Sequence, residues 1–216
     1  MNRPLDDPFN IKFLRRDEVF VFAQGCIVPF HIDGRKSADT EKWILSRYLL
    51  ALADAQLLAY PLTAAHAKDS ESPDFMLYLL GGRRIGLEAT EASTPEFHRE
   101  LIMNERGIDN HYENRPGSMG DEQERLWASL VFDRVKVKAA KLAGGDWNPA
   151  DAYDLVIYDN GPAFVLDRFL ARRLLLGRLA DSPRSGFGTV SIITSGCTEL
   201  LYDAEGEWRI LPIAPA

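Results

Sequence analysis

Asp74 and Glu88 are the residues whose types and spacing could do chemistry in this chain. They lie in the stretch 72–92, SPDFMLYLLGGRRIGLEATEA, where Phe75, Leu77 and Leu79 alternate with Asp74, Met76, Tyr78 and Leu80. After Gly81-Gly82-Arg83, Ile85, Leu87 and Ala89 alternate with Arg84, Gly86, Glu88 and Thr90. A period of two is what a half-buried strand requires. Closing the pair with the loop Gly81-Gly82-Arg83 predicts Leu80 opposite Arg84, Met76 opposite Glu88, and Asp74 opposite Thr90. One face is then wholly apolar, and the other gathers Asp74, Glu88 and Thr90, because diagonal neighbours on a sheet lie about 7–8 Å apart and carboxylates converge across that gap. Like charges held together cost stability unless a cation joins them. The chemistry this predicts is a divalent metal, Mg²⁺ or Mn²⁺, with Asp74 and Glu88 as oxygen ligands; Mg²⁺ is usually held by one or two carboxylates plus waters and substrate phosphates. The alternative is an ordinary hairpin with its polar side in water and Glu88 paired to Arg84 or to a neighbouring strand.

Two helices must flank such a hairpin. Ser37 or Asp39 can cap the first, which the sequence carries to about Ala59, before Tyr60-Pro61. Glu41 lies four residues before Leu45, on the apolar side of this helix. It serves either as a first-turn acid favoured by the helix dipole or as a third acidic group over the hairpin. Asp121, with Glu124 at the capping-box position, opens the second helix, which ends at Gly144-Gly145. Trp127, Leu130, Val131, Val135 and Leu142 mark the side that faces the sheet. At 100° per residue, Arg134, Lys138 and Lys141 fall within or beside that arc. A lysine turned inward needs an anionic partner, which Asp74 and Glu88 supply; the other account is snorkelling into water.

Around this unit, Glu18–Phe22 and Cys26–Ile32 give short apolar runs of strand type within a peripheral N-terminal segment, residues 1–36. Ala64–Glu71 is a polar connection, and 93–120 is a long polar loop or flap with a short helix over Pro95–Glu105; His98, His111 and Tyr112 are its candidate substrate contacts. Leu155–Tyr158 is a buried strand, 163–179 an amphipathic helix, Thr189–Thr194 a strand, and 199–213 a closing hairpin. Together they predict one α/β domain over residues 1–216, a mixed central sheet of four to six strands flanked by helices, with a small C-terminal hairpin.

Composition narrows the chemistry. The 216 residues carry a formal charge of −7, which disfavours tight, sequence-independent nucleic-acid binding through the overall field. A local basic groove drawn from Arg83, Arg84, Lys136, Lys138 and Lys141 stays open. Cys26 and Cys197 suggest neither a disulfide scaffold nor a thiolate cluster, and the four histidines lack zinc-ligand spacing. No GxGxxG, Walker A or GxSxG motif occurs. With no apolar run of signal-peptide or membrane-span type, the expectation is a soluble cytoplasmic protein that does not engage a membrane.

Pro73-Asp74-Phe75, followed by Glu88-Ala89-Thr90, then by a helix carrying Lys138 and Lys141 and the strand Asp154–Asn160, resembles the restriction-endonuclease-like superfamily, the PD-(D/E)xK nucleases. The likeness covers roughly residues 37–160 and implies an αβββαβ core. It implies metal-binding roles for Asp74 and Glu88, and matches Glu41 to the acid of the first core helix. At Thr90 the chain departs from the family's usual lysine. Some members place that lysine on the following helix, which makes Lys138 the first candidate and Lys141 the second. The resemblance implies metal-assisted phosphodiester hydrolysis; DNA or RNA, through the local basic groove, and a second copy of the chain are the expected partners. Two alternatives stand beside it. One is an inactive nuclease-like fold that binds nucleic acid or protein; the other is an unrelated α/β metabolic enzyme, which a deep pocket away from Asp74 and Glu88 would mark.

Overall fold

The computed structural model describes residues 10–26, 37–67, 73–93, 103, 121–145, 147–159, 167–180, 186–193, 198–204 and 207–213. Their strands form one eight-stranded sheet whose spatial order follows the chain. β1 (Asn10–Phe13), β2 (Leu62–His66), β3 (Phe75–Tyr78) and β4 (Arg84–Glu91) form an antiparallel meander. β5 (Ala152–Tyr158) and β6 (Thr189–Ile193) run parallel to β4, and β7 (Thr198–Ala204) and β8 (Glu207–Ile213) close the sheet antiparallel.

The helices are α1 (Arg16–Gly25), α2 (Ser37–Asp54), α3 (Glu122–Ala143) and α4 (Arg168–Ala180). One face of the sheet joins Phe75, Leu77, Leu87 and Val156 to Leu45, Tyr48 and Leu49 of α2. The other joins Leu155, Ile157, Val190 and Ile192 to Trp127, Val131 and Val135 of α3 and Leu175 of α4. The Leu155–Ile157 part of β5 is covered on both faces, which is why it reads as an unbroken apolar run. Among the described residues no helix is long and apolar enough to cross a membrane.

Several elements differ from the sequence expectation. The β3–β4 loop is Leu80-Gly81-Gly82, with the Leu79 N–H donating to the Arg83 carbonyl at 2.9 Å. Gly81 and Gly82 both have positive φ, so placing Arg83 in the loop would have forced a side chain toward that region. Sliding the loop by one residue shifts the register by two and leaves every side chain on its predicted face. α2 stops at Asp54, before Ala59. Gln56 at φ 59° turns the chain, and the Leu57 N–H closes onto the Leu52 carbonyl at 2.8 Å.

The Glu18–Phe22 run is helical. Val19 and Ala23 are buried while Val21 is 70% exposed, a spacing of four in place of two. Leu62–His66, expected to lie partly in a polar connection, is strand β2. β1 adds the edge strand beside it, and with α1 it brings Phe13 and Val19 of the N-terminal segment into the core. The predicted short helix over Pro95–Glu105 and the flap, with His98, His111 and Tyr112, fall outside the described residues, Met103 apart.

Candidate functional site

Asp74 stands one residue ahead of β3. Because Phe75 pairs with Leu87, the slid register brings Asp74 beside Glu88 of β4; the sequence had set it opposite Thr90. A Cβ on Gly86 would meet Pro73 at 2.9 Å and Tyr153 at 2.6 Å, so the bare glycine lets the Pro73 ring lie against β4 and carry Asp74 with it. The Asp74 Oδ2 accepts the Ala89 N–H at 2.7 Å. Burial, then the charge of Glu88, and to a smaller degree that of Glu41, raise Asp74 to about 7 against the lowering pull of that hydrogen bond and of Lys138.

Glu88 is 1% exposed, and its Oε1 accepts from the Lys138 ammonium at 2.5 Å. Lys138 reaches it from α3 with a side chain only 20% exposed. Of the two accounts of this lysine, the inward one is what the geometry has. Arg134, one turn earlier, donates to the Ser93 carbonyl at 2.6 Å and ties α3 to the chain leaving β4. Glu41 sits in α2 with its Oε2 3.7 Å from the His66 Nε2. Asp74, Glu88, Glu41 and Lys138 are therefore brought into one electrostatic neighbourhood.

Lys141 and Lys136 are exposed on α3, and Thr90 is half-buried, paired to Ile157 in register. Arg83 and Arg84 are exposed at the hairpin turn. Among the described residues no group of three or more His, Cys, Asp or Glu is arranged to hold a metal ion.

Other polar groups escape sequence reading. Asp154 of β5, 6% exposed, accepts the Tyr48 hydroxyl at 2.9 Å and the Thr189 N–H at 3.0 Å. Burial raises the Asp154 carboxyl while these hydrogen bonds and, to a smaller degree, the charge of Arg83 oppose the rise. The one sequence signal for it is a lone carboxylate inside an apolar strand. The expected capping box at the start of α3 is absent: Asp121 pairs with Arg125 at 2.6 Å, and Glu124 accepts the Asp167 N–H at 2.9 Å beside the start of α4. Asp159 accepts the Trp127 indole N–H at 2.9 Å. A cavity of about 600 Å³ opens on the α2 face, lined by Tyr48, Asp154, Arg83 and leucines of α2 and β3 among others. No family model matches this chain, and comparison with curated proteins and with solved structures found no similar one.

Proposed function

We propose that the chain is a divalent-metal-dependent nuclease that hydrolyses phosphodiester bonds on a restriction-endonuclease-like core. The observation that carries this reading is the meeting of Asp74, Glu88 and Lys138 from three separate elements. The run α2-β2-β3-β4-α3-β5 supports it, because it is the αβββαβ order that the sequence resemblance implies. The donor set fits a hard cation. Two adjacent carboxylates, one fixed by a backbone N–H and the other buried, are the number that Mg²⁺ commonly takes from protein.

Asp74 and Glu88 would hold Mg²⁺ or Mn²⁺, whose chemistry when bound is to polarise a phosphate oxygen and make a water nucleophilic near neutral pH. Asp74 gives up its proton to present an anionic oxygen, and the Ala89 N–H keeps that oxygen in place. Lys138 neutralises Glu88, and from the same position its ammonium stabilises charge developing on a phosphate or orients a water. Thr90 carries no charge, so Lys138 takes the part that a lysine at Thr90 would play. Glu41 adds negative field from α2.

The α2-face cavity favours a second reading, an α/β enzyme acting on a small molecule. Its acid, Asp154, already accepts from Tyr48 and Thr189, so the cavity offers binding groups more than a poised base. The test is Mn²⁺ titration with cleavage of labelled single- and double-stranded DNA and RNA. Asp74→Asn and Glu88→Gln are expected to abolish cleavage and metal binding, and Lys138→Ala to lower the rate about 10²-fold or more while most metal binding stays. Full cleavage in the two carboxylate variants would sink the assignment. Metal binding without cleavage of any substrate would leave the inactive binding module.

A further inference from the structure

The cavity on the α2 face lies across the sheet from Asp74 and Glu88, between the end of α2, the β3–β4 turn and the first residues of β5 and β6. Its volume, about 600 Å³, falls within the range of about 300–1,000 Å³ that small-molecule sites occupy. Leu52, Leu57, Leu58, Leu77 and Leu79 supply apolar wall, and Leu57 is 52% exposed, a large hydrophobic residue left facing solvent.

Against that wall stand a carboxyl and a guanidinium. Asp154 is buried, and its two oxygens are fixed by Tyr48 and Thr189, donors without charge. Among the described residues no cationic side chain is in contact with it, and the charge of Arg83, the least of the influences that lower its carboxyl, acts only from across the cavity. Burying a carboxylate with no cation in contact costs free energy that a bound cation would offset. Arg83 lines the same cavity from the exposed turn, and among the described residues its guanidinium has no hydrogen-bond or ion-pair partner. A guanidinium held there can take a carboxylate in a bidentate pair.

We infer that this cavity binds a small amphipathic zwitterion, with its ammonium on Asp154, its carboxylate on Arg83 and its aliphatic body on the leucine wall. That is the charge pattern of an apolar amino acid or a short apolar peptide. The site is separate from the carboxylate pair, so its test reads binding and stands whatever becomes of the nuclease reading.

The whole chain is titrated with L-leucine, L-leucyl-L-leucine, octylamine and octanoate, followed by amide NMR shifts and calorimetry. One of the two zwitterions is expected to shift the amides of Leu57, Leu58, Gly188 and Thr189 saturably; which one binds tighter separates amino acid from peptide. Octylamine and octanoate, each with one charge, are expected to bind about tenfold more weakly or worse. Arg83→Gln, at an exposed turn, is expected to weaken the zwitterion about tenfold with stability unchanged, and Asp154→Asn to weaken it at least as much. If Asp154→Asn fails to fold, Arg83→Gln decides. The inference is overturned if neither zwitterion gives saturable shifts, if octylamine or octanoate matches it, or if Arg83→Gln binds like the parent.

Discussion

With Asp74 raised to about 7, its carboxyl is divided near neutral pH between the acid and the anion, whereas in the unfolded chain it ionises near 3.8. Between those values the folded protein holds more protons on this group than the unfolded one does. Stability from this source is therefore greatest at or below the lower value and declines as pH rises toward the upper, by roughly 2–4 kcal/mol across the window. Asp74→Asn removes the titrating group and keeps an oxygen for the Ala89 N–H. In metal-free buffer it is expected to flatten this slope and to be more stable than the parent at pH 8, which urea unfolding at pH 5 and pH 8 measures. Equal slopes in the two proteins would refute the environment assigned to Asp74. Adding Mn²⁺ at pH 8 is expected to raise the parent's Tm and to leave the Asn variant's where it was. The two carboxylates were legible because side-chain parity on a strand survives an even shift of register, and Lys138 because helix angle placed it with Trp127. Tyr48 and Asp154, 106 positions apart, had no such local signal.

At the scale of elements, what positions Asp74 is the crowding of β4 against β5. Gly86 pairs with Met76 on one side and Tyr153 on the other, and the Tyr153 ring and Pro73 fill the space where a side chain would go. Gly86→Ala is expected to cost about 1–3 kcal/mol by overpacking. Its more telling effect is displacement of Pro73 and hence of Asp74, read as weaker Mn²⁺ binding in a variant whose circular dichroism stays that of a folded protein. Unaltered Mn²⁺ affinity would show that Asp74 is placed by β3 alone. The hairpin could be read from its glycines, but not which residue each turn position takes, since both loops with Gly81-Gly82 satisfy the alternation. The end of α2 was missed because Gln56 takes the left-handed position that glycine usually marks. β2 was missed because two of the five residues of Leu-Thr-Ala-Ala-His are alanines, which carry little strand propensity, yet pairing on both sides makes it a strand.

Across the whole molecule, α2 and α3 cover opposite faces of the sheet, and this sorting separates the basic residues that the sequence could only pool. Lys138 reaches Glu88 on the α3 face, while Arg83 lines the cavity on the α2 face. The mixed α/β layering was legible from the alternation of periods two and 3.6, but the distribution of charge between faces depends on long-range pairing. With a net charge of −7, the protein's overall field repels a polyanion, and among the described residues Lys138 is the cation in contact with the carboxylate pair. On the proposed nuclease reading, nucleic-acid binding at that site is expected to run through a divalent ion and a small number of phosphate contacts. Each phosphate neutralised on duplex DNA contributes about −0.9 to the slope of log K against log salt, so a slope no steeper than about −3 is expected. Fluorescence anisotropy with a phosphorothioate duplex that resists cleavage, in Mg²⁺ over a salt series, measures it. Chelation should return the anisotropy to that of free oligonucleotide, because the carboxylates then face the phosphates unscreened. Binding that survived chelation, or a slope of about −6 or steeper, would require an extended basic groove and would remove the metal from the centre of recognition.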